Sequence, residues 1–278
     1  MTARRVAAVV AVAGLVLLTG SAAPHPPLPL LRPDGAVTVF IAGDSIAAAY
    51  AVEQRPRAGW GQALGLFLAE DVRVRDEAWP GASTRTFVED GRLDRILAAV
   101  EPGDYLVVSF GHNDQMPDER HTDPATGYRD HLRLFVERAR AAGAWPVLVT
   151  PVERRRFDAA GHAVPSLGDY PSAMAAVAEQ TGTPLVDLHA MSLRRWDALG
   201  PAGTREEFLW LAPGVAPAYP DGVQDGTHFQ AAGAVALARM VARDLQRQRL
   251  LAPRDVHHLR DSYGAADLAW PAVPPAAG

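Results

Sequence analysis

The sequence predicts one α/β domain, with a mostly parallel sheet covered on both faces by helices. Three observations carry this. Short runs that are apolar at every position recur along the chain, as buried parallel strands require. Segments of helical periodicity separate them, so strand and helix alternate from one end to the other. No repeat of 20–50 residues is visible, which removes solenoids and propellers. A chain of 278 residues, 48% of them apolar, has enough material for one sizeable core.

Taken in order, residues 36–42 (AVTVFIA) form an apolar, β-rich run that stops at Gly43 and reads as the first buried strand. Residues 46–52 and 61–70 have helical patterning. Val72 and Val74 mark a brief alternating strand, and 91–100 form a helix with Leu93, Ile96, Leu97 and Val100 on one face. The turn Glu101-Pro-Gly-Asp104 introduces another continuous apolar strand at 105–110. An amphipathic helix at 128–142 leads to a strand at 146–150, a helix at 171–180 and a strand at 184–188. A long helix at 230–250 closes the domain, which is expected to span 36–251. The remainder, 252–278, is rich in Pro, Ala and Gly and is expected to be a mobile tail.

The N-terminus has the layout of a secretory signal peptide: Arg4 and Arg5, an apolar stretch from Val6 to Leu18, then small residues at Gly20, Ser21, Ala22 and Ala23. The alternative is an uncleaved anchor, but the apolar stretch is shorter than the about 20 residues a spanning helix needs. Cleavage is expected after Ala22, because cutting after Ala23 would leave Pro24 directly beyond the bond. Residues 1–22 are thus read as a signal peptide and 23–35 as a Pro-rich leader, with a secreted protein as the product. The paired arginines leave Sec and twin-arginine export both open. No stable membrane association is expected once the signal is removed.

Composition excludes several chemistries. Cysteine is absent, which removes disulfides, thiolate nucleophiles and cysteine-ligated metals. All 27 basic residues are Arg, so a Schiff-base lysine and the lysine of a phosphate-binding loop are impossible. A net charge of −5 supplies no basic field for nucleic acid, which is not an expected partner. What remains is Ser, Thr, His, Asp, Glu or Tyr chemistry, or an oxygen and nitrogen metal site.

In parallel sheets the reacting groups gather beyond the C-terminal ends of the strands. The first strand ends in Gly43-Asp44-Ser45, and a serine at the start of a helical run would face free N–H groups; the other reading of Ser45 is a simple helix cap. After the second strand comes Pro80-Gly81-Ala82-Ser83, where Gly81 lets the backbone approach a ligand or merely turns the chain. The third strand ends in Phe110-Gly-His-Asn-Asp114, and Asn113 suits either an oxyanion donor or a turn. Before the closing helix stands Asp225-Gly-Thr-His228, a spacing at which the carboxylate can fold back to one imidazole nitrogen. Each signal has an ordinary structural explanation; their conjunction is far more specific than any member.

With these residues in hand, the sequence resembles the SGNH hydrolases, also called GDSL esterases, whose block residues match Ser45, Gly81, Asn113 and His228, with Asp225 as the acid. The strings Gly59-Trp-Gly61, Gly81-Ala-Ser-Thr-Arg-Thr-Phe87, Phe110-Gly-His-Asn-Asp114, Thr150-Pro-Val-Glu-Arg-Arg-Arg156, Asp225-Gly-Thr-His-Phe229 and Gly233-Ala234 look like the rhamnogalacturonan acetylesterase branch. The resemblance covers about Val37 to Leu250. Ile46 stands where Thr is common and Gly226 where Asn is expected. It implies a single-domain three-layer α/β/α sandwich of flavodoxin-like build and a secreted acetylesterase acting on polysaccharide. His228 would take the Ser45 proton, Asp225 would orient the ring, and Ser45, Gly81 and Asn113 would hold the oxyanion. No cofactor or metal is needed.

Acetylated polysaccharide or a small ester is the expected substrate. A generalist short-chain carboxylesterase or lipase on the same residues, and a non-catalytic carbohydrate-binding module, are the competing readings. The α/β-hydrolase elbow Gly-x-Ser-x-Gly does not fit Gly43-Asp44-Ser45-Ile46-Ala47. His121, Asp123, His257 and His258 are read as exposed residues and not as metal ligands. His112, Trp79 and Arg85 are candidate substrate contacts, and Arg154 to Arg156 could meet acidic sugars or serve as surface charge.

Overall fold

The computed structural model describes residues 36–272. The expected signal peptide, the Pro-rich leader and residues 273–278 lie outside the described residues. Strands β1 (Val37–Gly43), β2 (Val72–Asp76), β3 (Tyr105–Ser109), β4 (Trp145–Val149) and β5 (Leu185–Val186) form one sheet in the spatial order β2-β1-β3-β4-β5. Every pairing in it is parallel, a stricter arrangement than the mostly parallel sheet expected.

Strand alternation divides the interior in two. Val39 and Ile41 of β1, Tyr105 and Val107 of β3, and Val147 and Val149 of β4 point to one core. Phe40 and Ala42, Leu106 and Val108, and Leu148 point to the other. The first core is roofed by α1 (Trp60–Leu64), α6 (Leu188–Gly203) and α7 (Ala231–Arg247). The second is roofed by α2 (Thr84–Glu89), α3 (Arg92–Ala99), α4 (Gly127–Ala141) and α5 (Tyr170–Thr181), with Phe87, Phe110 and Phe135 packed at ring separations of 5.1–6.0 Å. The result is the three-layer α/β/α sandwich. Edge strand β2 needs only one apolar face. Val72 and Val74 supply it, while Arg75 lies over the Phe40 ring and covers the other.

Chain order reverses between β1 and β3, the point at which an open parallel sheet leaves a crevice beyond its strand ends. The segments after β1, β2 and β3 all open toward it.

The helix expected at 46–52 does not form. Ser45 to Ala47 make a turn, residues 48–51 carry no regular structure, and Val52–Gln54 form a single 3-10 turn. The physical reason is a close approach by the GWG segment. The Ile46 and Ala47 carbonyls accept from the Trp60 and Gly61 N–H groups and not from residues four positions on. A Cβ on Gly59 would lie 2.4 Å from the Ala48 carbonyl oxygen, so only glycine lets the two backbones meet. Helix α2, helix α6 and an antiparallel ribbon, β6 (Phe208–Leu211) with β7 (Val223–Phe229), were not legible. The ribbon is anchored by aromatic packing: Trp196 of α6, Phe208 and Phe229 are fully buried with ring separations of 4.5–5.9 Å. Each such side chain contributes about 1.5–3 kcal/mol through burial.

The expected mobile tail is also corrected for 252–272, which packs back onto the α1 side of the molecule. Val256 bridges to Leu68, the Ala69 N–H donates to the Asp255 carbonyl, and the Gln62 amide donates to the Ala269 carbonyl. Leu251, Val256 and Leu268 are buried there, and Arg55 stacks on Trp270. These dispersed apolar residues supply enough area to hold a segment whose composition suggested none. Among the described residues, no helix is long and apolar enough to cross a membrane.

Candidate active site

Ser45 sits in the tight turn that ends β1. The Asp44 carbonyl accepts from the Ala47 and Ala48 N–H groups, and the Asp44 carboxylate accepts from the Ile46 N–H. Tyr50, itself buried, donates its hydroxyl to the Ser45 carbonyl at 2.7 Å, and burial raises that phenol's pKa well above its ordinary value. The serine is thereby fixed through its main chain, leaving its hydroxyl to pair with a partner from another element. That partner is His228, whose Nε2 lies 2.9 Å from Ser45 Oγ across 183 residues of chain.

His228 and Asp225 are on β7, not on a loop, and the Phe229 ring beside them holds the strand against α6. His228 Nδ1 is 2.7 Å from Asp225 Oδ2. The other carboxylate oxygen accepts from the backbone N–H groups of Thr227 and His228, at 2.7 and 3.0 Å. Partial burial opposes the ionised acid. The His228 ring, the His228 N–H and the Thr227 N–H outweigh it, holding the Asp225 carboxyl well below its ordinary range. Gly226, the departure noted in the sequence, has its carbonyl on the Arg155 N–H at 2.7 Å and fastens β7 to the chain after β4.

Three donors gather at the strand ends. Gly81 has φ = +88°, a conformation that favours glycine. Neither its N–H nor that of Ser45 is donated to any group among the described residues. The Asn113 amide donates to the Ala82 carbonyl at 2.9 Å, which brings the third block against the second and leaves its other N–H hydrogen available. Such an arrangement can activate an alcohol and stabilise negative charge on a carbonyl oxygen.

Asp114 ties these segments together, and sequence reasoning overlooked it. One carboxylate oxygen accepts from the Thr84 N–H (3.0 Å), the Thr84 hydroxyl (2.5 Å) and the Thr122 hydroxyl (2.7 Å), while the other is buried without a hydrogen bond. Burial pushes its pKa up to about 6, against the pull of Thr84 and Thr122 and with help from the Asp44 charge. A carboxyl whose pKa is raised by folding contributes stability that is complete below its unfolded value of 3.8 and is lost as pH rises toward about 6. Asp114→Asn keeps an acceptor for the three donors and removes the titration. The stability of the variant relative to wild type should therefore rise by about 3 kcal/mol between pH 3 and pH 7. Denaturant unfolding at several pH values checks this, and a pH-independent difference would contradict it.

The candidate substrate contacts fare differently. His112 is buried beside the Ser45 turn, with Nδ1 3.6 Å from Asp44 Oδ2. Trp79 is partly buried, packed against the second core with the Arg92 guanidinium 3.6 Å from its ring centre. Arg85 is partly buried on α2, paired at 3.6 Å with Glu89. Arg154 is half-buried and its guanidinium makes no ion pair with a described carboxylate, although Glu153 and Asp44 lie close enough to act on its charge.

Residues 41–236 match the GDSL-like lipase/acylhydrolase family. Rhamnogalacturonan acetylesterase RhgT of Bacillus subtilis is 44% identical over 210 residues, covering 76% of this chain and 90% of that protein. The probable rhamnogalacturonan acetylesterase YesY of the same organism is 36% identical, covering 75% and 92%. Among solved structures, the Bacillus subtilis protein YXIM_BACsu superposes with a TM-score of 0.67 at 30% identity over 77% of this chain, which spans 57% of that one. With its three-layer fold and this extent of similarity, the chain belongs to the GDSL-like lipase/acylhydrolase family and is an ester hydrolase.

Proposed function

We propose that the protein is an exported acetylesterase that removes O-acetyl groups from polysaccharide of the rhamnogalacturonan type, using Ser45 as nucleophile. The observation that carries this reading is the unbroken relay from Asp225 through His228 to Ser45. His228 takes the Ser45 proton as Oγ attacks the ester carbonyl, and returns it to the departing sugar oxygen. Water then attacks the acyl-enzyme by the same route and releases acetate. Asp225 holds the ring with Nδ1 protonated, so that Nε2 is the basic nitrogen facing the serine. The oxyanion receives the N–H groups of Ser45 and Gly81 and the Asn113 amide; one such donor is typically worth ~2.7–4 kcal/mol.

The names of RhgT and YesY support the sugar class. Arg154, unpaired near the Ser45 turn, supports an anionic neighbour such as a uronate. The N-terminal pattern supports export, since a polymer cannot enter a cell. The test is acetate release from acetylated rhamnogalacturonan, xylan and chitin measured side by side, with acetyl and octanoyl esters compared in parallel. Rhamnogalacturonan should be deacetylated fastest and acetyl preferred; a stronger response to xylan or chitin, or an octanoyl preference, would overturn the substrate assignment.

A further inference from the structure

Asn113 can act as an oxyanion donor only if its amide presents nitrogen, not oxygen, to the site. An asparagine amide is nearly symmetric in shape, so packing alone does not choose between the two orientations. Its surroundings do. On one side the Ala82 carbonyl, which only accepts, lies 2.9 Å from Nδ2. On the other, Arg120 Nη1, which only donates, lies 3.3 Å from Oδ1. A flipped amide would set oxygen against oxygen and N–H against N–H.

Arg120 is itself held. Its Nε lies 2.9 and 3.2 Å from the two Asp118 oxygens, and its Nη2 lies 2.5 Å from one of them. The segment that carries it is closed at its base: the Thr122 N–H donates to the Asp114 carbonyl at 2.9 Å, and the Tyr170 hydroxyl caps the Asp114 and Thr122 carbonyls at 2.9 and 2.7 Å. The guanidinium is thus carried on a fixed support seven residues after the group it meets.

We propose that Arg120, braced by Asp118, is a positioning residue that locks the Asn113 amide with its nitrogen toward the oxyanion. This rests on the Ser45 and Asn113 roles proposed above. Free rotation of the amide would populate the wrong orientation, and a carbonyl oxygen there would repel the developing charge. The effect belongs in kcat, because the donor matters most in the transition state.

The test uses the full chain and a small acetyl ester, 4-methylumbelliferyl acetate, with circular dichroism on each variant. Asn113→Ala should lower kcat by about 10²–10³-fold. Arg120→Met should lower kcat by about tenfold with KM changed less than about twofold, and Arg120→Lys should recover part of that loss. Introduced into Asn113→Ala, Arg120→Met should change kcat by less than about twofold, because nothing is left to orient. Asp118→Asn, on the exposed side of the pair, gives a milder loss with the same dependence on Asn113 should Arg120→Met fold poorly. An Arg120 effect that persists undiminished without Asn113, a change confined to KM, or an unchanged kcat would each overturn the proposal. If Asn113→Ala retains full kcat while Ser45→Ala is inactive, the oxyanion role is what fails and the inference falls with it. Turnover above about 1% of wild type in Ser45→Ala would instead remove the nucleophile assignment.

Discussion

Replacing Ser45 by alanine is expected to lower kcat for ester hydrolysis by about 10⁵-fold while leaving the fold intact. The size of the effect follows from the geometry. Ser45 Oγ is the atom that His228 Nε2 faces at 2.9 Å, and among the described residues no other hydroxyl bonds that ring nitrogen. The small structural cost follows too. The turn is held by the Asp44 carbonyl, the Asp44 carboxylate and the Tyr50 bond to the Ser45 carbonyl, and all of these survive loss of Oγ. Stability should move by no more than about 0.5 kcal/mol. Steady-state kinetics with thermal unfolding as companion checks both halves; a variant retaining more than about 1% of wild-type kcat would mean that another group attacks the ester.

Asp225→Asn should cost about 10³–10⁴-fold in kcat, with little change in KM. The carboxylate is nearly isosteric with the amide, but its two oxygens have different duties. Oδ1 accepts from two backbone N–H groups, Thr227 and His228, and these require an oxygen. The amide nitrogen must then occupy the Oδ2 position and donate toward His228 Nδ1, where the acid now accepts at 2.7 Å. The ring is driven to the tautomer with hydrogen on Nε2, which donates toward Ser45 when it should accept. The two backbone donors that depress the Asp225 pKa thus also prevent the amide from turning over to rescue the variant. Because folding lowers that pKa, the stability Asp225 contributes is complete above its ordinary value of 3.8 and is lost as pH falls below it. The asparagine variant should lack this acid-side dependence. A loss of less than tenfold would mean that Asp225 does not set the tautomer.

Much of this site was legible without coordinates, and what was missed has identifiable causes. The buried strands were found because a strand covered on both faces leaves an uninterrupted apolar run, as in the apolar stretch at the end of β1. Helix α7 was found because a long helix on one core repeats its apolar positions many times. The ribbon was missed because β7, Val223–Phe229, carries polar residues at most positions and shows no alternation. It is strand by virtue of β6 and of the Trp196, Phe208 and Phe229 rings, which come from three separated segments. The helix assigned after Ser45 failed because its patterning is real but its carbonyls are claimed by residues 60 and 61. Arg120 and Asp114 gave no signal because each works through a partner at no characteristic spacing: seven residues away for Asn113, thirty for Thr84.

Composition and motif order, with the family resemblance beside them, were enough to narrow the chemistry to ester hydrolysis or sugar binding, since a chain without cysteine or lysine that carries Gly-Asp-Ser early and Asp-x-x-His late has few reactions open to it. They were also enough to settle the layering, because apolar periodicity is written locally. Folding decided which nitrogen of His228 faces Ser45, which way the Asn113 amide points and which of the suspected ligand contacts are covered by neighbours. Those matters depend on distances between groups far apart along the chain, and hydrogen-bond direction is settled only when both partners are in place.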